Sequence, residues 1–253
     1  MNIVYLEKDE LQPNAVQAMQ SVEVVLDIGC GIVPQSYIRP HTHICCEPYG
    51  EYVDHLQKKI AKLKDRNCSY VVLNMGWHEA VNFFPEKSVD TVFLVDVIEH
   101  LEKEEGHKLL ALTEKIARKQ VVVFTPLGFM PQYHEDGKDA WGLNGADWQE
   151  HKSGWLPEDF SEDWQFFIAK EFHLIDNLLR PLEKPYGAFW AIKTYPNTEE
   201  VKILTRENAL KNIEAELLAK EAEINSLIFT RIERKLRRIF KKILSFPRRS
   251  SVI

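Results

Sequence analysis

The 253-residue chain is poor in cysteine: it has four, Cys30, Cys45, Cys46 and Cys68, and no CxxC pair. Adjacent Cys45 and Cys46 make a poor disulfide, so a disulfide framework is not expected. With no leader-like stretch at the start, the expectation is a reduced, cytoplasmic protein. No apolar run reaches the ~18–20 residues of a spanning helix, so a membrane can matter only as a surface. Internal repeats are absent. So is a positive balance: the net charge is −6, which excludes a nucleic-acid binder by bulk charge. The charge is unevenly spread. Nine Lys/Arg and one acid, Glu233, follow position 230, so residues 1–230 carry −14 and the end carries +8. That is an acidic body with a basic tail.

Short β-branched runs fill the body: VEVVLDI (22–28), THICCE (42–47), SYVVLNM (69–75), VDTVFLVDV (89–97) and QVVVFT (120–125). Segments 51–64 and 103–117 between them have helical spacing. This alternation predicts an α/β fold, a doubly wound and mostly parallel sheet covered on both faces. Residues 126–156 are Gly/Pro/Asp-punctuated and hold Trp141, Trp148 and Trp155. A loop this long and aromatic reads as a substrate-facing lid. LPEDFSEDWQFFIAKEF (156–172) reads as a helix, and 171–179 and 187–195 as the last strands. The domain boundary falls at 196/197. Beyond it, Ile203, Leu210, Leu217 and Ile224 recur every seven residues, with Ile213 and Leu227 at matching positions. This short heptad helix over 203–227 can pair with a second copy. In 231–249, Ile232, Leu236, Ile239, Phe240 and Ile243 line one face and Lys/Arg the other, the pattern of a helix lying on a membrane surface.

The first strand ends in Asp27 and runs into Gly29-Cys30-Gly31. A dinucleotide fingerprint needs a third glycine where Pro34 stands, and no GK[ST] follows for a P-loop. An acid at Glu47, ending the next strand, can accept both hydroxyls of a ribose. Asn74 and Met75 close the third strand, at the height where an adenine would lie. VDVIEHL sets Asp96, Glu99 and His100 at the carboxyl edge of the sheet, where ligands of open α/β sheets bind.

VLDIGCG, the acid of CCEP, SVDTVFLVDVIEHL and VVVFTP, in this order, resemble the class I S-adenosylmethionine-dependent methyltransferases over residues 20–195. The resemblance implies a seven-stranded sheet with its last strand antiparallel, and S-adenosyl-L-methionine as cofactor. It implies that Gly29 and Gly31 approach the methionine part, Glu47 holds the ribose, and Asn74 and Met75 flank the adenine. Asp27 and Asp96 join them on the cofactor side. Val33 departs from the pattern, where relatives carry a small residue. TPLGFMPQ and WQEHKSGWLPEDF are similar to methyltransferases encoded among bacterial surface-polysaccharide genes.

Methyl transfer to oxygen needs alignment and removal of a proton. His100 is the first candidate base, His151 the second and His134 the third. No metal site is expected: no Asp-Asn pair follows the QVVVFT strand, and His41 and His43 read as a solvent-exposed pair. The acceptor is expected to be a glycan sugar or a small molecule, with the indoles suited to stacking on a pyranose. Two other readings stay open: a methyltransferase of a small, quinone-like metabolite or lipid, and a binding module that keeps the fold without catalysis.

Overall fold

A computed structural model describes residues 1–63, 67–133, 136–176 and 180–196, with six scattered positions between Lys211 and Lys220. The chain divides into two units, Met1–Pro196 and Asn197–Ile253. In the second, the six described positions are helical and exposed, and Leu217 of the heptad series is among them. The rest of 203–227, the basic segment 231–249 and His134 lie outside the described residues.

The first unit is one eight-stranded sheet. Its strands are β1 (Asn2–Tyr5), β2 (Val24–Ile28), β3 (Thr42–Cys46), β4 (Ser69–Leu73), β5 (Val89–Val95), β6 (Ala117–Leu127), β7 (Gln165–Ile175) and β8 (Pro181–Thr194), in the order β1-β7-β8-β6-β5-β2-β3-β4. Strands β2 to β6 pair in parallel, and β8 runs antiparallel to both β6 and β7. The helices are α1 (Lys8–Ala18), α2 (Gly50–Ile60), α3 (Trp77–Phe83), α4 (Lys103–Ile116) and the single turn α5 (Ala146–Gln149).

The central runs, β2, β5 and β6, form strands because both of their faces are buried. Leu26, Val92, Leu94, Val121 and Val123 point into one core with Leu109, Leu110 and Ile116 of α4. Their neighbours Val25, Phe93 and Val122 point into the other, with Leu11 and Ala15 of α1. A side-chain period of two puts alternate residues on opposite faces, so a strand covered on both sides shows no alternation in its sequence.

The structure departs from expectation at three points. The sheet has an eighth strand, since NIVY at the start pairs in parallel with β7 at the edge. Segment 156–172 is not a helix: one 3₁₀ turn at Pro157–Asp159 leads directly into β7. There Phe166 and Ile168 enter one core and Phe167 and Ala169 the other, which a helix cannot do with consecutive residues. Finally, His43 is not exposed. It is buried inside β3, while His41 stays on the surface.

Asp90 ties three strand starts together. Its Oδ2 accepts the N–H groups of Glu23 and Val24 at 2.9 and 3.1 Å, and its Oδ1 faces Arg118 and Lys119. Burial opposes its charge, but these donors outweigh burial and hold its pKa low. Asp90→Ala leaves two backbone donors without their acceptor. It is expected to cost about 1–3 kcal/mol in urea denaturation; a loss below about 0.5 kcal/mol would contradict this account.

His173 on β7 has a buried Nε2 with no hydrogen-bond partner among the described residues. Burial, and then the charges of His151 and Lys8, push its pKa down to about 4. As pH falls below about 6.5, the unfolded chain binds this proton and the folded chain does not. The contribution of His173 is therefore intact above pH ~6.5 and lost as pH falls toward 4. His173→Gln is expected to flatten that part of the stability–pH curve, and an unchanged slope would refute the assignment.

Candidate functional site

From β2 the chain winds outward through β3 and β4, then returns to place β5 on the other side of β2. At this reversal the carboxyl ends of β2 and β5 open a cavity of about 440 Å³. Crevices of this kind are where open α/β sheets bind ligands.

The turn after β2 forms one wall. Gly29 and Gly31 have φ of +70° and +59°. A Cβ on Gly29 would stand 2.9 Å from Val97, and one on Gly31 would stand 3.1 Å from the Trp141 ring. The turn thus needs glycine both for its handedness and for close approach. Asp27 fixes the turn from below: its Oδ2 accepts the Gln35 N–H at 2.8 Å and lies 3.1 Å from His43 Nε2. Burial opposes a charge on His43, but hydrogen bonds to Asp27 and Cys45 raise its pKa to about 9. The Cys45 thiol is lowered to about 7, first by a hydrogen bond from Cys30 and then, against burial, by His43. A polar chain of Asp27, His43, Cys45 and Cys30 therefore underlies the turn.

Glu47 follows β3. Its two oxygens accept the N–H groups of Gly31 and Tyr49, each at 2.9 Å. Each oxygen retains capacity for a second donor. Burial raises its pKa, with the two backbone donors pulling the other way.

Asp96 follows β5 at φ +53°, a left-handed conformation that Asp tolerates better than most residues. It presents surface to the cavity, yet the protein packed around it raises its pKa to about 6, with Glu99 pulling the other way. Glu99 is buried, and burial followed by the Asp96 charge pushes it well above the usual carboxylate range. Its Oε2 accepts the Thr125 hydroxyl at 3.0 Å.

His100 ends the 3₁₀ turn Ile98–His100, and its ring lies 4.9 Å from that of His151. The two Nδ1 atoms face the carbonyls of Glu150 and Met130 at 3.0 and 2.6 Å. An Nδ1 that donates to a carbonyl leaves the lone pair of a neutral imidazole on Nε2.

Segment 128–155 covers the cavity. Lys152 and Ser153 donate their N–H groups to the Glu99 carbonyl, and Ser153 Oγ and Trp155 Nε1 donate to that of Ile98. At its other end, Tyr52 donates to Asp139 at 2.5 Å, and Asp139 accepts the N–H groups of Trp141 and Leu143. Gly145 completes this anchor, because a Cβ there would fall 1.8 Å from the Tyr52 hydroxyl. Trp141 packs edge-on against Tyr52, and Trp148 lies over Tyr49. The three lid indoles have different fates. Trp141 and Trp148 are 45% and 48% exposed on the cavity wall, whereas Trp155 is fully buried in the core and offers no stacking surface.

Asp27, Gly29, Gly31, Glu47, Asp96, His100 and His151 all line this cavity. Asn74 and Met75 are not among its lining residues. The Asn74 amide donates to the carbonyls of Glu47 and Pro48, and Met75 packs on the core. Val33 stands on the wall, 51% exposed. Tyr37, Tyr52 and Gln132 also line the cavity and were not singled out from sequence. Tyr52 had one legible signal, its place on the same α2 face as Leu56. Nothing marked Tyr37, and Gln132 entered only as the last residue of TPLGFMPQ.

No family model matches the chain, and no curated protein matches it. Solved structures do. A SAM-dependent methyltransferase from Archaeoglobus fulgidus is 15% identical over 72% of this chain and 90% of its own, with a TM-score of 0.46. Magnesium protoporphyrin IX methyltransferase from Synechocystis PCC 6803, solved with bound SAM, is 12% identical over 73% and 77%, with a TM-score of 0.42. The cyclopropane synthase MmaA2 from Mycobacterium tuberculosis is 21% identical over 47% of this chain, with a TM-score of 0.38, and the chain spans 42% of its length. At such values function has to be argued from the site itself.

Tyr52→Phe removes the donor that pins the lid at Asp139. It is expected to cost about 1–2 kcal/mol of stability and to speed proteolysis within 139–148. Unchanged cleavage there would show that the lid is held elsewhere.

Proposed function

We propose that the chain is an S-adenosylmethionine-dependent methyltransferase acting on a hydroxyl oxygen. One observation carries this reading: the glycine turn of β2, the acid after β3 and Asp96 after β5 face a single cavity at the sheet's reversal. The residues fit such a cofactor. Glu47 has acceptor capacity for a ribose diol, and its carboxylate is held in place by two backbone donors. Asp96 supplies negative charge toward a cationic methionine part. Asn74 enters as a positioning residue, through the carbonyls of Glu47 and Pro48.

When bound, the cofactor supplies a methyl group already activated on a sulfonium sulfur. The chain's own work is then alignment, exclusion of water and removal of the acceptor's proton. His100 and His151 face the cavity with Nδ1 engaged, so Nε2 is the atom that takes the proton. The lid shuts out water, and Trp141 and Trp148 give an acceptor sugar two flat apolar faces.

The finer reading is a sugar of a bacterial surface glycan or its lipid-linked precursor. The sequence of the lid and the basic, amphipathic segment 231–249 support it, because such a segment suits the inner face of an anionic membrane. Among the described residues, no helix is long and apolar enough to cross a membrane. Heptad 203–227 suits pairing with a second copy.

Calorimetry with S-adenosylmethionine is expected to show binding, weakened roughly 10- to 100-fold by Glu47→Ala, the worth of hydrogen bonds to a charged group. No binding by the intact chain would overturn the reading. For the acceptor, glycan from a deletion strain is expected to lack a methyl group. An unchanged glycan mass, with a tail-deleted chain that floats with vesicles as well as the intact one, would favour a small soluble acceptor.

A further inference from the structure

We propose that Glu99, His100 and His151 bind a divalent first-row transition cation, of the zinc or manganese kind, at the cavity wall. Each offers one ligand atom, and these atoms all lie within 4.8 Å of one another. An ion bound at ~2.0–2.2 Å from each would draw the three atoms closer together. The three come from two segments held rigidly together, since the backbone of Lys152 and Ser153 is bonded to the Glu99 carbonyl.

Two independent features point to a ligand rather than to a chance cluster. The first is Glu99 Oε1, which is buried and accepts from no N–H or O–H donor among the described residues; the acid bonded to its side chain is Asp96, so only a shared proton or a cation meets the need of this pair. Burying a carboxylate oxygen without a donor is costly, and a bound cation removes that cost. The second is the way the rings are held. Both histidines direct Nδ1 to a backbone carbonyl, the usual outer support of a metal-binding imidazole. The Thr125 hydroxyl gives Glu99 Oε2 similar support.

The donor set selects the ion. Two imidazoles and one carboxylate suit zinc, manganese, iron or cobalt better than calcium or magnesium, which prefer all-oxygen shells. The other cluster with ligand-type atoms, Asp27, Cys30 and Cys45, is different in kind. Its groups are already bonded to Gln35, His43 and each other.

His100 and His151 line the cavity, so open positions on the ion would face the acceptor. An oxygen bound there is a stronger acid than in water, so the ion would take over the activation assigned above to the imidazoles. That role rests on the methyltransferase reading; the ion's binding does not. The sequence reading expected no metal site; Glu99 and His151 are 52 positions apart, and nothing in either segment shows that they meet.

The test is titration of the chelator-treated full chain with zinc chloride, and with cobalt chloride followed by visible absorption. One equivalent is expected to bind, with a cobalt ligand-field band. Glu99→Gln and His151→Asn are each expected to weaken binding at least tenfold while circular dichroism stays native. Failure of the intact chain to bind one equivalent, or equal binding by both folded variants, overturns the proposal. S-adenosylmethionine binding is measured in the same samples. Cofactor binding without cation binding defeats only the ion, and the converse defeats only the methyltransferase reading.

Discussion

The pairing of β2 with β5 is the constraint on which the site depends. Val25, Leu26 and Asp27 register against Thr91, Val92 and Phe93, so the carboxyl ends of two strands far apart in sequence become neighbours. The pairing is secured because both strands are apolar on both faces and each face has its own core. A slip of one residue would exchange the faces and drive Asp27 or Asp90 into hydrocarbon. The Asp90 bonds to Glu23 and Val24 hold the same register from the opposite end. The strand interiors are thus packed for stability, while their carboxyl ends carry the polar groups.

Those polar groups are costly, and the structure offsets the cost locally. Asp27, Glu47 and Glu99 are all buried within one region. Asp27 is bonded to a backbone N–H and to His43, and Glu47 to two backbone N–H groups. Glu99 receives one hydroxyl, and its other partner is a second acid, Asp96. Burial, and then the charge of a neighbouring acid, pushes Glu47 and Glu99 upward, so the region favours a cation. The two proposed cations, a sulfonium over the glycine turn and a divalent ion beneath the lid, would each meet that demand.

How much of this was legible in the sequence depended on the range of the interactions. Strands β2, β5 and β6 could be read because a strand buried on both faces is an unbroken apolar run. The glycine turn could be read because its φ values demand glycine at two set positions. β7 was misread because the spaced charges of 158–163 lead into Phe166–Phe167–Ile168, a run too short to separate helix from strand by period alone. β1 is only four residues long, and its ends are exposed. The burial of His43 was hidden because the carboxylate that compensates it, Asp27, lies on a neighbouring strand. The lid tryptophans look equivalent in sequence. Trp155 alone has its indole N–H bonded inward, to the Ile98 carbonyl at 3.1 Å and the Ser153 hydroxyl at 2.9 Å, with its ring packed over Gly106, while the other two stay on the wall.

The lid and the sheet edge therefore behave as one device. Residues 96–100 would be an ordinary strand-to-helix connection if they stood alone. Bonded to 150–155 through the carbonyls of Ile98, Glu99 and Glu150, they become the hinge side of the cover. His100 is contributed by the sheet and His151 by the lid, so their contact reports that the cover is seated. Under the proposed function, chemistry that needs both imidazoles would thereby be tied to a covered cavity with the acceptor against the indoles. A base carried by the sheet alone would stay in place whether or not the lid had closed.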